Sequence, residues 1–210
     1  MNDTAERVLE ALYTVYPESA CGLSYGGDPF RLFVMAVLSA QCTDERVNAV
    51  SGPLFERFPD ARSMADSAPG ELEKYIYTVG LYNSKAEALR TACRRLVDVY
   101  NGVLPSDMDS LLSLRGVGRK VANLLRGDIF GLGGIVADTH CIRISRRIGL
   151  TSAADPLTTE RELSAVIPVE YQSGFCHRMV MFGREYCIAR SPRCGECPVS
   201  ALCAKNGVKA

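Results

Sequence analysis

Four cysteines near the C-terminus, Cys187, Cys194, Cys197 and Cys203, are separated by six, two and five residues. Thiolates gathered this closely need a soft metal partner, and two kinds are open to them, a zinc ion or an iron–sulfur cluster. Zinc sites usually draw on two close pairs of ligands. Here only Cys194 and Cys197 make one, so the spacing leans toward a cluster and leaves zinc, or a partly unligated set, open. The pattern also differs from ferredoxin runs, which argues against an electron carrier of that type. Arg190 and Arg193 lie in the loop closed by the first two cysteines. A loop pinned by metal can present such cations rigidly to phosphates, although two solvated arginines are the plainer reading.

A second constellation is Leu111-Leu-Ser-Leu-Arg115-Gly116-Val-Gly118-Arg119-Lys120-Val-Ala-Asn-Leu-Leu125. It reads as an apolar helix, a tight glycine turn and a second apolar helix. Glycines let backbone approach a phosphate closely, and amides at the second helix's start supply polarised donors. Such a hairpin would contact DNA backbone without reading sequence, while a plain structural corner fits a glycine turn between helices at least as well. Lys120 falls in that helix's first turn, where the macrodipole disfavours a further positive charge. An amine must lose its proton to act as a nucleophile, so the position suits one. On the hairpin alone, a phosphate-binding cation fits Lys120 better. Asp138 follows the apolar pair Ile135-Val136 and precedes a helical pattern, so it is placed to cap that helix and to offer a carboxylate to a cleft.

The elements that position these groups are all predicted as helices, because apolar residues recur at three and four and turn signals interrupt often. The fold class is all-α, with no strand expected. A first helix begins near Asp3 in a capping-box pattern with Glu6 and ends at Pro17. Asp28-Pro29 opens an almost wholly apolar helix, Phe30 to Ala40, expected at a domain centre. Others are predicted from about Asp44, Asp60 and Pro69, over Ser84 to Tyr100, Asp107 to Leu114, Arg119 to Phe130, Asp138 to Ile148, Thr159 to Val166 and Glu170 to Tyr186. The glycine-rich stretch Gly131 to Gly134 is the expected joint between two parts.

Composition narrows the function. With 47% hydrophobic and 23% charged residues, the 210-residue chain can bury a core unaided, and no apolar run is long enough to span a bilayer. The start, Met1-Asn2-Asp3-Thr4-Ala5-Glu6, lacks a secretory pattern, which points to the cytoplasm. Of nine cysteines, Cys21, Cys42, Cys93, Cys141 and Cys176 are expected to pack as small hydrophobes. Formal net charge is zero, against a protein that coats nucleic acid by bulk charge. Between Leu114 and Gly149, however, Arg115, Arg119, Lys120, Arg126, Arg143, Arg146 and Arg147 face only Asp128 and Asp138, a candidate phosphate-binding stretch.

Several segments together resemble the endonuclease III branch of the helix-hairpin-helix DNA glycosylases, in the family's order and over nearly the whole chain. They are Leu38-Ser-Ala-Gln41-Cys-Thr-Asp44, Gly80-Leu81-Tyr-Asn-Ser-Lys85, Leu-Arg-Gly-Val-Gly-Arg-Lys120, Val-Ala-Asp138-Thr-His140 and the cysteine segment from Cys187 to Cys203. The resemblance implies a six-helix barrel domain with the hairpin (22–132), a cluster domain (1–21 with 133–210), a DNA-binding cleft between them, and a [4Fe-4S] cluster on the four cysteines. It implies a monomer acting on double-stranded DNA that carries damaged bases or abasic sites, in the cytoplasm and near the nucleoid if bacterial. Lys120 would attack the sugar's anomeric carbon of a flipped nucleotide with Asp138 assisting. Gln41 and Leu81 would fill the gap, Gly116, Gly118, Arg119, Arg190 and Arg193 would hold DNA, and His140 would lie by the pocket. Of the two histidines, His177 has only a structural reading.

One departure is visible. Arg115 stands where the family usually has proline, exchanging a rigid turn residue for a cation that could grip another phosphate. Two alternatives stay open: an adenine-mismatch glycosylase, disfavoured by Lys120 and by the absence of glutamate from Leu32 to Gln41, and a non-catalytic DNA-binding module with structural zinc.

Overall fold

The structure, a computed structural model, describes residues 3–208. Met1 and Asn2, part of the N-terminal reading above, lie outside the described residues. Eleven α-helices account for the regular structure of the described residues, without a strand. The chain divides into two compact units, Cys21–Phe130 and a second made of Met1–Ala20 with Gly131–Ala210.

The contiguous unit is built on α2 (Pro29–Leu38). Its start is set by Asp28, whose Oδ1 accepts from the amides of Phe30 (2.8 Å) and Arg31 (3.1 Å), with Pro29 supplying a preset first turn. Every residue from Leu32 to Leu38 is buried, each large side chain contributing roughly 1.5–3 kcal/mol of burial. Around it pack α3 (Asp44–Arg57), α4 (Ala61–Ala65), α5 (Glu73–Ile76), α6 (Tyr82–Tyr100), α7 (Met108–Leu112) and α8 (Arg119–Asp128) in one apolar cluster. The helix expected from Pro69 starts only at Glu73, because Gly70 adopts a left-handed φ of 84° and interrupts it.

The two-segment unit holds α1 (Asp3–Val15), α9 (Thr139–Ile148), α10 (Pro156–Val166) and α11 (Val169–Glu185) around a second core that includes Val8, Leu12, Ile144, Phe175 and Phe182. Arg178 of α11 lies 3.5 Å over the Tyr13 ring and donates to the carbonyls of Tyr16 (2.8 Å) and Pro17 (2.9 Å), fastening the end of α1. The start of α10 lies three residues before the expected Thr159, because Asp155 caps it through the Thr158 amide and Pro156 occupies its first position. Cys93, Cys141 and Cys176 are buried as expected, whereas Cys21 and Cys42 are only half-buried. No described helix is long and apolar enough to cross a membrane.

Candidate active site and cluster loop

The glycine turn is shaped by close packing on one side and open space on the other. Gly116 has a φ of 89°, and a Cβ there would meet Val37 Cγ1 at 3.1 Å and Ala88 Cβ at 3.4 Å. A side chain at this position would be strained in backbone and crowded by the core. Gly118, the N-cap of α8, has a φ of −94° and nothing within 4 Å of a would-be Cβ. It provides no side-chain cap, so the leading amides of α8 lack the acceptor that an aspartate or serine at that position would supply. Arg119 and Lys120 are exposed on that first turn. Arg115, at the turn's entrance, is paired through Nη1 with Glu87 Oε1 at 2.8 Å, both side chains more than half exposed.

Asp138 begins α9 in the opposite manner. Its Oδ1 accepts from the Cys141 amide at 2.7 Å, so it is an N-cap with its second oxygen left over. The strap leading to it is pinned to α11. Gly134 donates to Gln172 Oε1 (2.9 Å) and Val136 to Cys176 Sγ (3.2 Å). Gly133, with a φ of 72°, lies so close that a Cβ would fall 2.7 Å from Val169 Cγ1. The half-buried carboxylate is therefore fixed by backbone rather than by its own side-chain packing.

His140, two residues on, meets Arg143 through Nδ1 at 3.2 Å; since arginine can only donate, Nδ1 accepts. Arg143 also donates from Nε (3.3 Å) and Nη2 (3.0 Å) to the Cys187 carbonyl. One turn along α9, Arg147 donates to the carbonyls of Ile188 (2.9 Å) and Ala189 (2.7 Å) and reaches Cys187 Sγ at 3.4 Å. Burial draws the Arg143 guanidinium down from its ordinary range. Two cations assigned from sequence to a phosphate-binding stretch thus brace the cysteine loop instead. Their spacing of four residues, which puts both on one helical face, was the available signal.

The four cysteines line one cavity together with Phe182, Tyr186 and Val199. Burial, then the neighbouring cysteines, push the Cys197 and Cys203 thiols up, so the sulfurs feel one another. The Lys205 amide donates to Cys203 Sγ at 3.3 Å, and Arg147 to Cys187, as suits thiolates of a cluster bearing negative charge. Among the described residues, no three His, Cys, Asp or Glu side chains converge on a single-ion position. Four cysteines gathered on one cavity, with an amide and a guanidinium donating to their sulfurs, fit a negatively charged iron–sulfur cluster. Arg190 and Arg193 are exposed on this loop, and neither forms an ion pair among the described residues. The Arg193 amide closes the loop on the Tyr186 carbonyl at 2.8 Å.

Gln41 and Leu81 are both exposed, and both are non-glycine residues in left-handed backbone, with φ of 54° and 59°. The structure groups the predicted residues by unit: Gln41, Leu81, Arg115, Gly116, Gly118, Arg119 and Lys120 in the contiguous one, Asp138, His140, Arg190, Arg193 and the cysteines in the other. Sequence reading gave no role to Lys85, the last residue of the Gly80–Lys85 segment, which is 6% exposed inside the contiguous unit.

Comparison with known proteins gives consistent findings. Residues 34–168 match the HhH-GPD superfamily of base excision DNA repair proteins, and residues 187–203 match the iron–sulfur binding domain of endonuclease III. Endonuclease III of Synechocystis sp. is 43% identical over 95% of this chain and 91% of its own length. A solved non-covalent endonuclease III–DNA complex has a TM-score of 0.89 at 39% identity, covering 98% of this chain and 97% of that one. The trapped endonuclease III–DNA covalent intermediate, an estranged-adenine complex, gives the same values.

Proposed function

The chain belongs to the endonuclease III family of base excision repair proteins and is a DNA glycosylase with AP lyase activity that carries an iron–sulfur cluster, and from this premise we propose that Lys120 is its nucleophile and Asp138 its assisting carboxylate. The observation that supports this most is the start of α8: an exposed lysine on the first turn of a helix that no side chain caps. A DNA phosphate seated at those amides brings the adjoining sugar within reach of the amine.

Lys120 Nζ attacks C1′ of an extruded nucleotide, the bond to the damaged base breaks, and ring opening leaves a Schiff base. Loss of the C2′ proton then expels the 3′ phosphate and cuts the strand. Asp138, held by the Cys141 amide, stabilises positive charge developing on the sugar or takes a proton from the attacking amine. Gln41 and Leu81 fill the vacated stack, while Gly116, Gly118, Arg119, Arg190 and Arg193 hold phosphates and His140 borders the pocket. Cys187, Cys194, Cys197 and Cys203 hold a [4Fe-4S] cluster, which supplies a crosslink that fixes the loop bearing Arg190 and Arg193. Substrates are double-stranded DNA with damaged bases, oxidised pyrimidines foremost, or abasic sites. The enzyme acts as a monomer in the cytoplasm, at the nucleoid in a bacterium, where its substrate lies.

Duplexes bearing thymine glycol, uracil, an abasic site or adenine opposite 8-oxoguanine, each scored with and without borohydride, test the reading. A trapped complex on thymine glycol and abasic DNA that Lys120→Ala abolishes is expected. Trapping that survives this substitution removes Lys120 as nucleophile, and activity confined to the adenine mismatch removes the substrate class.

A further inference from the structure

Lys85 is costly where it stands. Its side chain is buried, it lies in the first turn of α6 where the macrodipole opposes a cation, and no carboxylate pairs with it among the described residues. Its ammonium donates instead to the Leu38 carbonyl at 2.8 Å, the last residue of α2. That carbonyl is at the negative end of a helix and has no intrahelical partner, so Lys85 acts as a C-terminal cap supplied from another element. The Lys85 amide meanwhile donates to the Leu81 carbonyl at 3.0 Å, which also accepts from Ser84 Oγ at 3.0 Å. One residue thereby joins the turn after α2, which carries Gln41, to the turn before α6, which carries Leu81.

The two turns run side by side, a Cβ on Gly80 falling 3.8 Å from the Gln41 carbonyl. Each exposes a side chain from left-handed backbone, a conformation that persists for glutamine and leucine only where surrounding structure enforces it. Leu81 is 61% exposed, so its own packing does not enforce it.

We propose that Lys85 is a positioning residue that clamps the two turns into one rigid unit, so that Gln41 and Leu81 enter the stack together when a nucleotide is extruded. This rests on the gap-filling reading of Gln41 and Leu81. Filling a gap matters only in a duplex, where an orphaned base and its neighbours must be held apart. A general folding defect lowers activity on any substrate.

The test compares full-length wild type, Lys85→Met, Leu81→Ala, Gln41→Ala and the Lys85→Met/Leu81→Ala double variant on abasic sites in duplex and in single-stranded oligonucleotides. The readout is the ratio of kcat/KM on duplex to that on single strand. Lys85→Met is expected to lower this ratio by about tenfold or more, within the ~100-fold that distant misplacement can cost. In the Leu81→Ala background the same change should lower it by less than about threefold, since residues acting as one unit are not additive. Lys85→Arg, which retains a cationic donor, should recover part of the ratio. Should Lys85→Met fail to fold, Lys85→Gln carries the same comparison. A ratio that falls for Leu81→Ala but not for Lys85→Met, or losses that simply multiply, overturns the role of Lys85 alone. A ratio untouched by both Leu81→Ala and Gln41→Ala overturns the gap-filling reading, and the positioning role falls with it.

Discussion

The two helix starts to which we assign the chemistry as a proposal are built on opposite plans. At α8 the cap position is glycine, no side chain answers the leading amides, and a lysine follows two residues later. At α9 the cap is an aspartate whose carboxylate is bonded to the Cys141 amide. The first leaves its positive end for an external anion. The second satisfies it internally and keeps a spare oxygen for use beyond the helix. A helix N-terminus is therefore not one kind of site, and what the cap residue does with the amides decides whether the end binds a ligand or serves as a mount for an acid.

Substitutions test this contrast, beginning with the largest effect. Lys120→Ala should lower strand cleavage by roughly 10³-fold or more and abolish borohydride trapping, read in single-turnover assays. Asp138→Asn keeps an oxygen for the Cys141 amide while removing the charge, so base release should slow by about 10²-fold with little change in thermal midpoint. Asp138→Ala should add a stability loss of about 1 kcal/mol on denaturant titration; equal stabilities of the two variants would mean that the cap contributes nothing. Gly118→Asp would turn the first plan into the second. Its φ and open surroundings admit a side chain, so stability should rise by a few tenths of a kcal/mol while DNA affinity falls about tenfold. Unaltered affinity in a binding titration would show that no phosphate uses those amides. The smallest effect is at Arg115, already engaged with Glu87. Glu87→Gln should steepen the dependence of log affinity on log salt by less than about one unit, and Arg115→Pro should flatten it by no more than that.

Much of this was legible because it depends on local chemistry. The Asp28-Pro29 start and the two glycines of the hairpin act within a turn of their own positions, so residue type is enough to place them. The late start of α5 needed the conformation of Gly70, and the early start of α10 repeated at Asp155-Pro156 the pattern already recognised at Asp28-Pro29. What stayed hidden were long-range partners of charged groups. Arg143 and Arg147 find their carbonyls about forty residues away, Arg115 meets Glu87 from a preceding helix, and Lys85 answers a carbonyl at Leu38. A charge count along the chain cannot tell a cation that faces solvent from one spent on a loop.

The division of the chain into Cys21–Phe130 and a unit drawn from both ends also sets an order of events during synthesis. At about 5–20 residues per second, the hairpin unit has all its residues several seconds before Ala210 is joined. Helix α1 is made first, yet Phe175, Met179 and Phe182, which share a core with its apolar stripe of Val8, Leu9 and Leu12, are made close to last. The cysteines come later still. A nascent chain thus carries the apolar stripe of α1 uncovered until α11 has been made, well after the contiguous unit has all its residues.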